Sequence, residues 1–310
     1  MDEPCSLYTQ FMAVTREDFL HMALTFEPIH PMFAAQVKGI DLKQAQNEAT
    51  IAAIERAMDQ FAVLVFRDQP LDQGQQIAFS KQFGPLDAGL RKATGAASRF
   101  QYEELIDIGN VALDGTVAAP NNTKLIGVLA NQLWHSDSTF QNLPVKYSML
   151  SASVVPDEGG QTQWADLRAA WEALPEKTKA HVEERIATHT AFHSRIMLGD
   201  DRYTEEQLKR FPPVQRALVH THPNTGRKVL FPSVHIESLS GLTVPEGRLL
   251  VAELIEHATQ REFVYTHDWR VGDYVMWDNR STLHRGLRYD LSKRRDLRRT
   301  TTLERGYAHF

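Results

Sequence analysis

The feature that most constrains this chain is a pair of complementary segments about 150 residues apart. The first, Leu133-Trp134-His135-Ser136-Asp137-Ser138-Thr139-Phe140, sets a histidine and an aspartate two positions apart. On an extended backbone such residues project from one face, because side chains alternate with period 2. One imidazole and one carboxylate on a shared face can take two adjacent positions on a divalent metal. The second segment, Trp277-Asp278-Asn279-Arg280-Ser281-Thr282-Leu283-His284-Arg285-Gly286, ends an apolar run in a histidine and a turn. Two histidines and one carboxylate would make a facial triad of the non-haem iron type, which leaves three coordination positions open. The separation is too long for a hairpin site and suits two strands closing one barrel. In a chain with 13 histidines the His-x-Asp tripeptide alone is a weak signal, so the rest of the sequence must carry the case.

The flanking periodicities describe a β-rich chain with helices added. Ile51, Ile54, Met58 and Phe61 recur at helical spacing over 47–61, and Ala62–Phe66 follows as a buried-strand run. Asp72 can cap a second helix carrying Ile77, Phe79 and Phe83 before Gly84-Pro85 stops it. Extended segments are expected at 147–155, from 161, at 263–269, 274–277 and 298–303. A hairpin is expected at 217–231 around Asn224-Thr225-Gly226. Asp166 opens a helix, Pro175 begins a helical turn running towards Ile186, and 245–260 is a longer helix with Pro245 in its first turn. Residues 86–128 lack periodicity and are expected to form a lid or binding loop. Residues 1–28 are expected to be a loosely held extension. With no repeat or linker after it, 29–310 is expected to be one domain, an antiparallel β core with helices outside.

Composition excludes several classes. No window approaches a membrane span, and the net charge of −5 gives no global reason to expect nucleic acid or an anionic surface. The single cysteine, Cys5, excludes an internal disulfide framework and multi-thiolate zinc sites. Met1-Asp2-Glu3-Pro4 lacks the basic-then-apolar layout of a secretory signal, so the cytoplasm is the expected compartment. Beyond the second segment, Arg295, Leu297 and Arg299 share one face of an extended stretch. Inward guanidiniums are costly unless carboxylates meet them, which points to anionic small molecules.

Together these blocks, with Gly159-Gly160-Gln161-Thr162, Asn131-Gln132 and His257-Ala258-Thr259-Gln260-Arg261-Glu262-Phe263-Val264-Tyr265, resemble the taurine/2,4-dichlorophenoxyacetate dioxygenase family. The similarity runs from about His30 to Leu303 and is strongest to the phenoxyacetate branch. It implies an α+β fold whose mainly β core is a double-stranded β-helix (jelly-roll) with flanking helices. It implies Fe(II) as the metal, with 2-oxoglutarate and O2 as co-substrates. By the same resemblance His135, Asp137 and His284 are the iron ligands, and Arg295 binds the distal carboxylate of 2-oxoglutarate with Thr162 as hydroxyl partner. Arg299, Lys92, His222 and His235 fall at substrate positions. The implied reaction hydroxylates an aryloxyalkanoate next to its ether oxygen, as in 2,4-D degradation, giving a phenol and glyoxylate. A taurine, alkylsulfonate or alkyl sulfate substrate is the alternative, as is a metal- and keto-acid-binding protein without turnover. The expected partner is a small-molecule carboxylate rather than nucleic acid or membrane, and homo-oligomerisation stays open.

Rival readings exist on the same chain. His220 and His222, with His235-Ile236-Glu237, could form a local zinc site of the hydrolase kind. Lys293-Arg294-Arg295 with Arg298-Arg299 could bind phosphate, although Asp290 and Asp296 interrupt the run.

Overall fold

A computed structural model describes residues 23–88, 97–122, 124–200 and 203–304. Fifteen strands run along these residues. They are β1 (Thr25–Pro28), β2 (Ala35–Lys38), β3 (Val63–Phe66), β4 (Ile106–Gly109), β5 (Val145–Val154), β6 (Thr162–Asp166), β7 (Ile186–His189) and β8 (Val214–Ala217). There follow β9 (Val219–Thr221), β10 (Lys228–Leu230), β11 (Ile236–Leu239), β12 (Val264–His267), β13 (Tyr274–Asp278), β14 (Thr282–Gly286) and β15 (Asp296–Leu303). The helices that matter for the site are α1 (Glu48–Phe61), α2 (Gln73–Lys81), α3 (Lys124–Ala130), α4 (Leu167–Ala173) and, after a short helix at Glu176–Val182, α6 (His193–Met197). Glu205–Arg210 is α7 and Val244–Ala258 is α8. Among the described residues no helix is long and apolar enough to cross a membrane.

Seven strands form the major sheet, in the order β1-β2-β3-β13-β5-β15-β4. All its pairings are antiparallel except β2 with β3. Opposite it lie β12-β6-β14, β11-β7-β8 and the β9-β10 pair. Strand β3 shows why its sequence is a continuous apolar run. Val63 and Val65 face inward onto Trp164 of β6, while Leu64 and Phe66 face outward onto Ile54, Met58 and Phe79 of the helices. Both faces are buried, so polar alternation is absent. Trp164, Trp277 and Leu297 fill the space between the sheets. Leu254 of α8 and Trp171 of α4 close the far side of the second layer.

Capping chemistry sets the helix ends. Asn47 accepts from the Thr50 N–H at the start of α1, and Ala62 ends it in the left-handed region with φ 57°. That cap is why the strand begins at Val63 rather than at Ala62. Asp72 and Gln75 form a reciprocal capping box on α2, and Thr243 with Glu246 does the same on α8.

Four expectations need correction. Thr25–Pro28 lies inside the stretch expected to be loose, yet it is a strand paired with Ala35–Lys38. Phe26 packs on the core beneath it, whereas residues 1–22 fall outside the described set. Ile106–Gly109 lies inside the expected lid, but it pairs with β15 as the sheet edge, tied down by Arg99 bridging Asp107 and Asp296. The expected strand at 217–222 is two strands in two sheets, divided at the fully buried Leu218. The helix from Pro175 ends at Val182, and Ile186 already belongs to β7.

Candidate active site

His135 and His284 are joined through the backbone. The His135 N–H donates to the His284 carbonyl at 3.0 Å, and the His284 N–H donates to the His135 carbonyl at 2.7 Å. This single bridge joins the His-x-Asp segment to β14, and a turn begins at Asp137, with Ser138 at φ 52°. The two rings therefore meet at a centroid distance of 4.2 Å. Asp137 completes the group, with its Oδ1 3.8 Å from His284 Nε2. One donor atom from each of the three residues lies within 4.8 Å of the others, and all three side chains are buried.

The carboxylate is held from two sides. Ser148 Oγ, on β5, donates to Asp137 Oδ2 at 2.7 Å, and Arg299 Nη1, on β15, donates to Oδ1. Asn279 orders this arrangement. Its Nδ2 donates to Ser148 Oγ at 2.9 Å, and its Oδ1 accepts from the Asp137 N–H at 3.3 Å and from Trp277 Nε1 at 3.1 Å. Burial pushes the Asp137 pKa up, but the Arg299 charge, the two histidines and the Ser148 hydroxyl outweigh it and hold it at about 2. Burial moves the other way for the imidazoles, lowering His135 and dropping His284 well below the ordinary histidine value. His135 Nδ1 faces the Leu133 carbonyl at 2.7 Å, so that nitrogen carries the proton and Nε2 keeps its lone pair. His284 Nδ1 is buried with no hydrogen-bond partner among the described groups. Two neutral imidazoles, one of them orphaned, and an ionised carboxylate fit a divalent cation of the kind that takes nitrogen and oxygen donors.

Beside the triad, a pocket reaches Thr162, Tyr289 and Arg295. Arg295 is buried, and burial lowers its pKa to about 10. Its Nη1 donates to the Ile108 carbonyl and its Nη2 to the Gly160 carbonyl, both at 3.2 Å, and among the described residues its Nε has no partner. The Gly159-Gly160 turn explains the approach. Gly160 sits at φ 71°, and a Cβ there would lie 3.3 Å from Arg295 Nε and 3.1 Å from Pro156. Thr162 Oγ1 accepts from Trp269 Nε1 at 2.9 Å, which leaves its own proton to give. A buried guanidinium with spare donors beside a free hydroxyl proton suits a carboxylate.

A wider cleft of about 490 Å³ opens on the other side of His135 and Asp137. Phe140, Phe192, Tyr203 and His235 line it, and the Phe192 and Tyr203 rings meet at 4.2 Å, tilted by 34°. His235 stands 6.0 Å from the His135 ring and 5.0 Å from Phe140, edge-on. Burial keeps its pKa well below the usual histidine value.

The structure thus gathers His135, Asp137, His284, Thr162, Arg295, Arg299 and His235 around two connected spaces. It does not bring His222 there. That residue is fully buried behind β13, with Nε2 3.1 Å from Asp278 Oδ2, so the expectation that it meets substrate is corrected. The physical reason is the buried charge network of Asp278, Arg280 and Asp59, which His222 joins. Lys92 lies outside the described residues. The rival hairpin zinc site does not assemble, because His220 Nε2 bonds the Arg280 carbonyl at 2.8 Å while His235 lines the cleft. Asp59, His222 and Asp278 do approach one another. Arg280 already compensates them, with Nη2 2.7 Å from Asp278 and 3.9 Å from Asp59, so a cation is disfavoured there. Ser148, Phe192 and Tyr203 gave no sign in the sequence, since they sit in runs without a motif, whereas Phe140 closes the His-x-Asp segment. Asn279 stood in a quoted motif, but its hydrogen bonds with Ser136, Asp137 and Ser148 are tertiary contacts.

Comparison with known proteins agrees with this geometry. Residues 25–301 match the taurine catabolism dioxygenase TauD, TfdA family. The chain is 55% identical over 283 residues to an alpha-ketoglutarate-dependent 2,4-dichlorophenoxyacetate dioxygenase of Cupriavidus pinatubonensis, covering 91% of this chain and 99% of that one. It is 37% identical to an (S)-phenoxypropionate/alpha-ketoglutarate-dioxygenase of Sphingobium herbicidovorans, covering 88% and 92%. A crystal structure of AAD-2 in complex with Mn(II) and N-oxalylglycine superposes with a TM-score of 0.86 at 42% identity, covering 93% and 100%.

Proposed function

Because the chain belongs to the taurine catabolism dioxygenase TauD, TfdA family, we propose that it is an Fe(II)- and 2-oxoglutarate-dependent dioxygenase acting on aryloxyalkanoates such as 2,4-dichlorophenoxyacetate. One observation carries the reading. Two neutral histidines and an ionised aspartate converge between a narrow pocket ending in a buried arginine and a wider cleft walled by aromatic rings. His135, Asp137 and His284 hold the iron, which when bound supplies the activation of O2 that a saturated C–H bond requires.

The protein's own residues position, neutralise and exclude water. Arg295 and the Thr162 hydroxyl hold the distal carboxylate of 2-oxoglutarate. Arg299 keeps Asp137 ionised and adds positive charge beside the substrate. Phe140, Phe192 and Tyr203 accept the aryl ring, with His235 between the ring and the metal. Hydroxylation next to the ether oxygen gives a hemiacetal, which collapses to a phenol and glyoxylate. One oxygen atom of O2 ends in the substrate's new hydroxyl and the other in succinate, as 2-oxoglutarate loses CO2. We place this activity in the cytoplasm, in a single catalytic domain that begins near the first strand. The single cysteine and the acidic net charge support that setting.

The test is succinate formation across a panel of phenoxyacetates, phenoxypropionates and alkylsulfonates. Substrate-dependent succinate with equimolar phenol is expected from the aryloxy acids. Turnover confined to sulfonates or sulfates would replace the assignment.

A further inference from the structure

Thr162 is bonded to a neighbour that the reaction does not otherwise use. A threonine hydroxyl turns about its C–O bond and can give or take a hydrogen bond, whereas an indole N–H can only give one. Trp269 Nε1 donates to Thr162 Oγ1 at 2.9 Å. While that bond stands, the Thr162 proton is directed away from the indole. Thr162, not Trp269, lines the pocket with Arg295.

The indole is itself held in place. Thr162 lies opposite His267 in the β6–β12 pair and Trp164 lies opposite Tyr265, so these four side chains share one face. Trp269, two residues beyond the end of β12, packs edge-on against His267 at 4.6 Å and tilted against Trp164 at 6.5 Å. His267 is held at both nitrogens: Nε2 donates to Asp273 Oδ2 at 3.0 Å, so Nδ1 accepts from the Tyr265 hydroxyl at 3.0 Å. The loop carrying Trp269 is also pinned to the major sheet. Arg67, just after β3, donates from Nη1 to the Asp268 carbonyl at 3.1 Å and pairs with Asp273. The Ala152 N–H of β5 donates to the Asp273 carbonyl at 3.0 Å, and the Gly272 N–H to the Ala152 carbonyl at 2.9 Å. Main-chain bonds to β5 and a fixed imidazole thus set where the indole N–H points.

We propose that Trp269 is a positioning residue for the keto acid: it occupies one lone pair of Thr162 and so commits the hydroxyl proton to the distal carboxylate, which can only accept. This rests on the reading above, in which Thr162 and Arg295 meet that carboxylate. Without the indole donor the hydroxyl turns to other directions, and the orientation set in advance of binding is lost.

The experiment is a double-mutant cycle on 2-oxoglutarate binding, measured by calorimetry on full-length protein loaded with Mn(II). Trp269→Phe keeps an aromatic ring against His267 and removes the donor, while Thr162→Val removes the hydroxyl and keeps the branched shape. Trp269→Phe is expected to weaken 2-oxoglutarate about fivefold, the scale of one neutral hydrogen bond. In the Thr162→Val background the same change is expected to have no effect, because no hydroxyl is left to orient. Unchanged binding by Trp269→Phe alone would overturn the proposal. So would an equal loss in both backgrounds, which marks a packing role. Thr162→Val protein that bound 2-oxoglutarate as tightly as the parent would remove Thr162 from the keto-acid site, and this proposal with it. Parent protein that bound no 2-oxoglutarate at all would overturn the reaction assignment itself.

Discussion

His135 and His284, about 150 residues apart in sequence, exchange both of their backbone hydrogen bonds, at 3.0 and 2.7 Å. The spacing of the two candidate metal-binding imidazoles is thus set by main chain rather than by rotamers. A site built this way keeps its shape when a side chain is removed. His284→Ala is expected to lose metal while its far-ultraviolet circular dichroism stays that of the parent. Loss of both together would mean that the ring, not the backbone bridge, holds the two segments.

The support around Asp137 should matter without touching metal. Ser148→Ala removes the 2.7 Å bond to Oδ2, and Asn279→Ala removes the group that orients Ser148. Each is expected to weaken Fe(II) binding by about 10- to 100-fold, the usual range for groups that orient metal ligands. Metal titration against a chelator of known affinity measures this, and unchanged affinity in both variants would deny them that role.

The two inward arginines should separate by ligand. Arg295 sits in the narrow pocket on two backbone carbonyls, whereas Arg299 is paired with Asp137, and among the described residues the buried Nε of each has no partner. Losing one partner of a buried, hydrogen-bonded ion pair costs about 3 kcal/mol, or roughly two orders of magnitude in affinity. Arg295→Ala is expected to raise the 2-oxoglutarate requirement by that factor, with a smaller effect on the aryloxy acid. Arg299→Ala should weaken metal binding below neutral pH instead, because Asp137 loses the charge that holds its pKa at about 2. Equal effects of both variants on both ligands would show one shared anion site.

Much of this site was legible because its chemistry travels in short motifs. His135, Asp137 and His284 stand out by type and spacing, and Arg295, one residue before β15, and Arg299 on it both line the pocket, with Leu297 between them in the core. Asp72 was legible as a cap because capping is local. What failed depends on distant partners. His222 lies two residues from His220 on one hairpin, yet Asp278 and Arg280, more than fifty residues away, draw it into the interior. Ile106–Gly109 becomes a strand only because β15 offers it an edge. Ser148 is one of three serines in β5, and nothing local marks it as the donor to Asp137.

Acid should destabilise the metal-free protein earlier than carboxylate titration would. Burial lowers the pKa of His189 to about 3, with Arg216 adding to the effect, and lowers that of His220 to about 4. Unfolded, both return to about 6.5. Below that value the unfolded chain binds protons that the folded chain refuses. Stability is therefore fully present above pH 6.5 and is lost as pH falls towards the folded values, at about 1.4 kcal/mol per pH unit for each residue. Urea midpoints from pH 8 to 4.5 are expected to be level above 6.5 and to fall below it. A flat profile down to pH 5 would show that these histidines are not held neutral.

The most direct test of the whole account is the visible charge-transfer band expected when Fe(II) and 2-oxoglutarate are added to the protein without oxygen. Among the described residues two histidine–carboxylate clusters approach metal-binding geometry, and one of them is assigned the iron. His135→Ala and Asp137→Ala should abolish the band, whereas Asp59→Asn, in the cluster that Arg280 already neutralises, and His220→Ala should leave it intact. A band that survives loss of His135 or Asp137, or disappears with Asp59 or His220, would contradict the assignment.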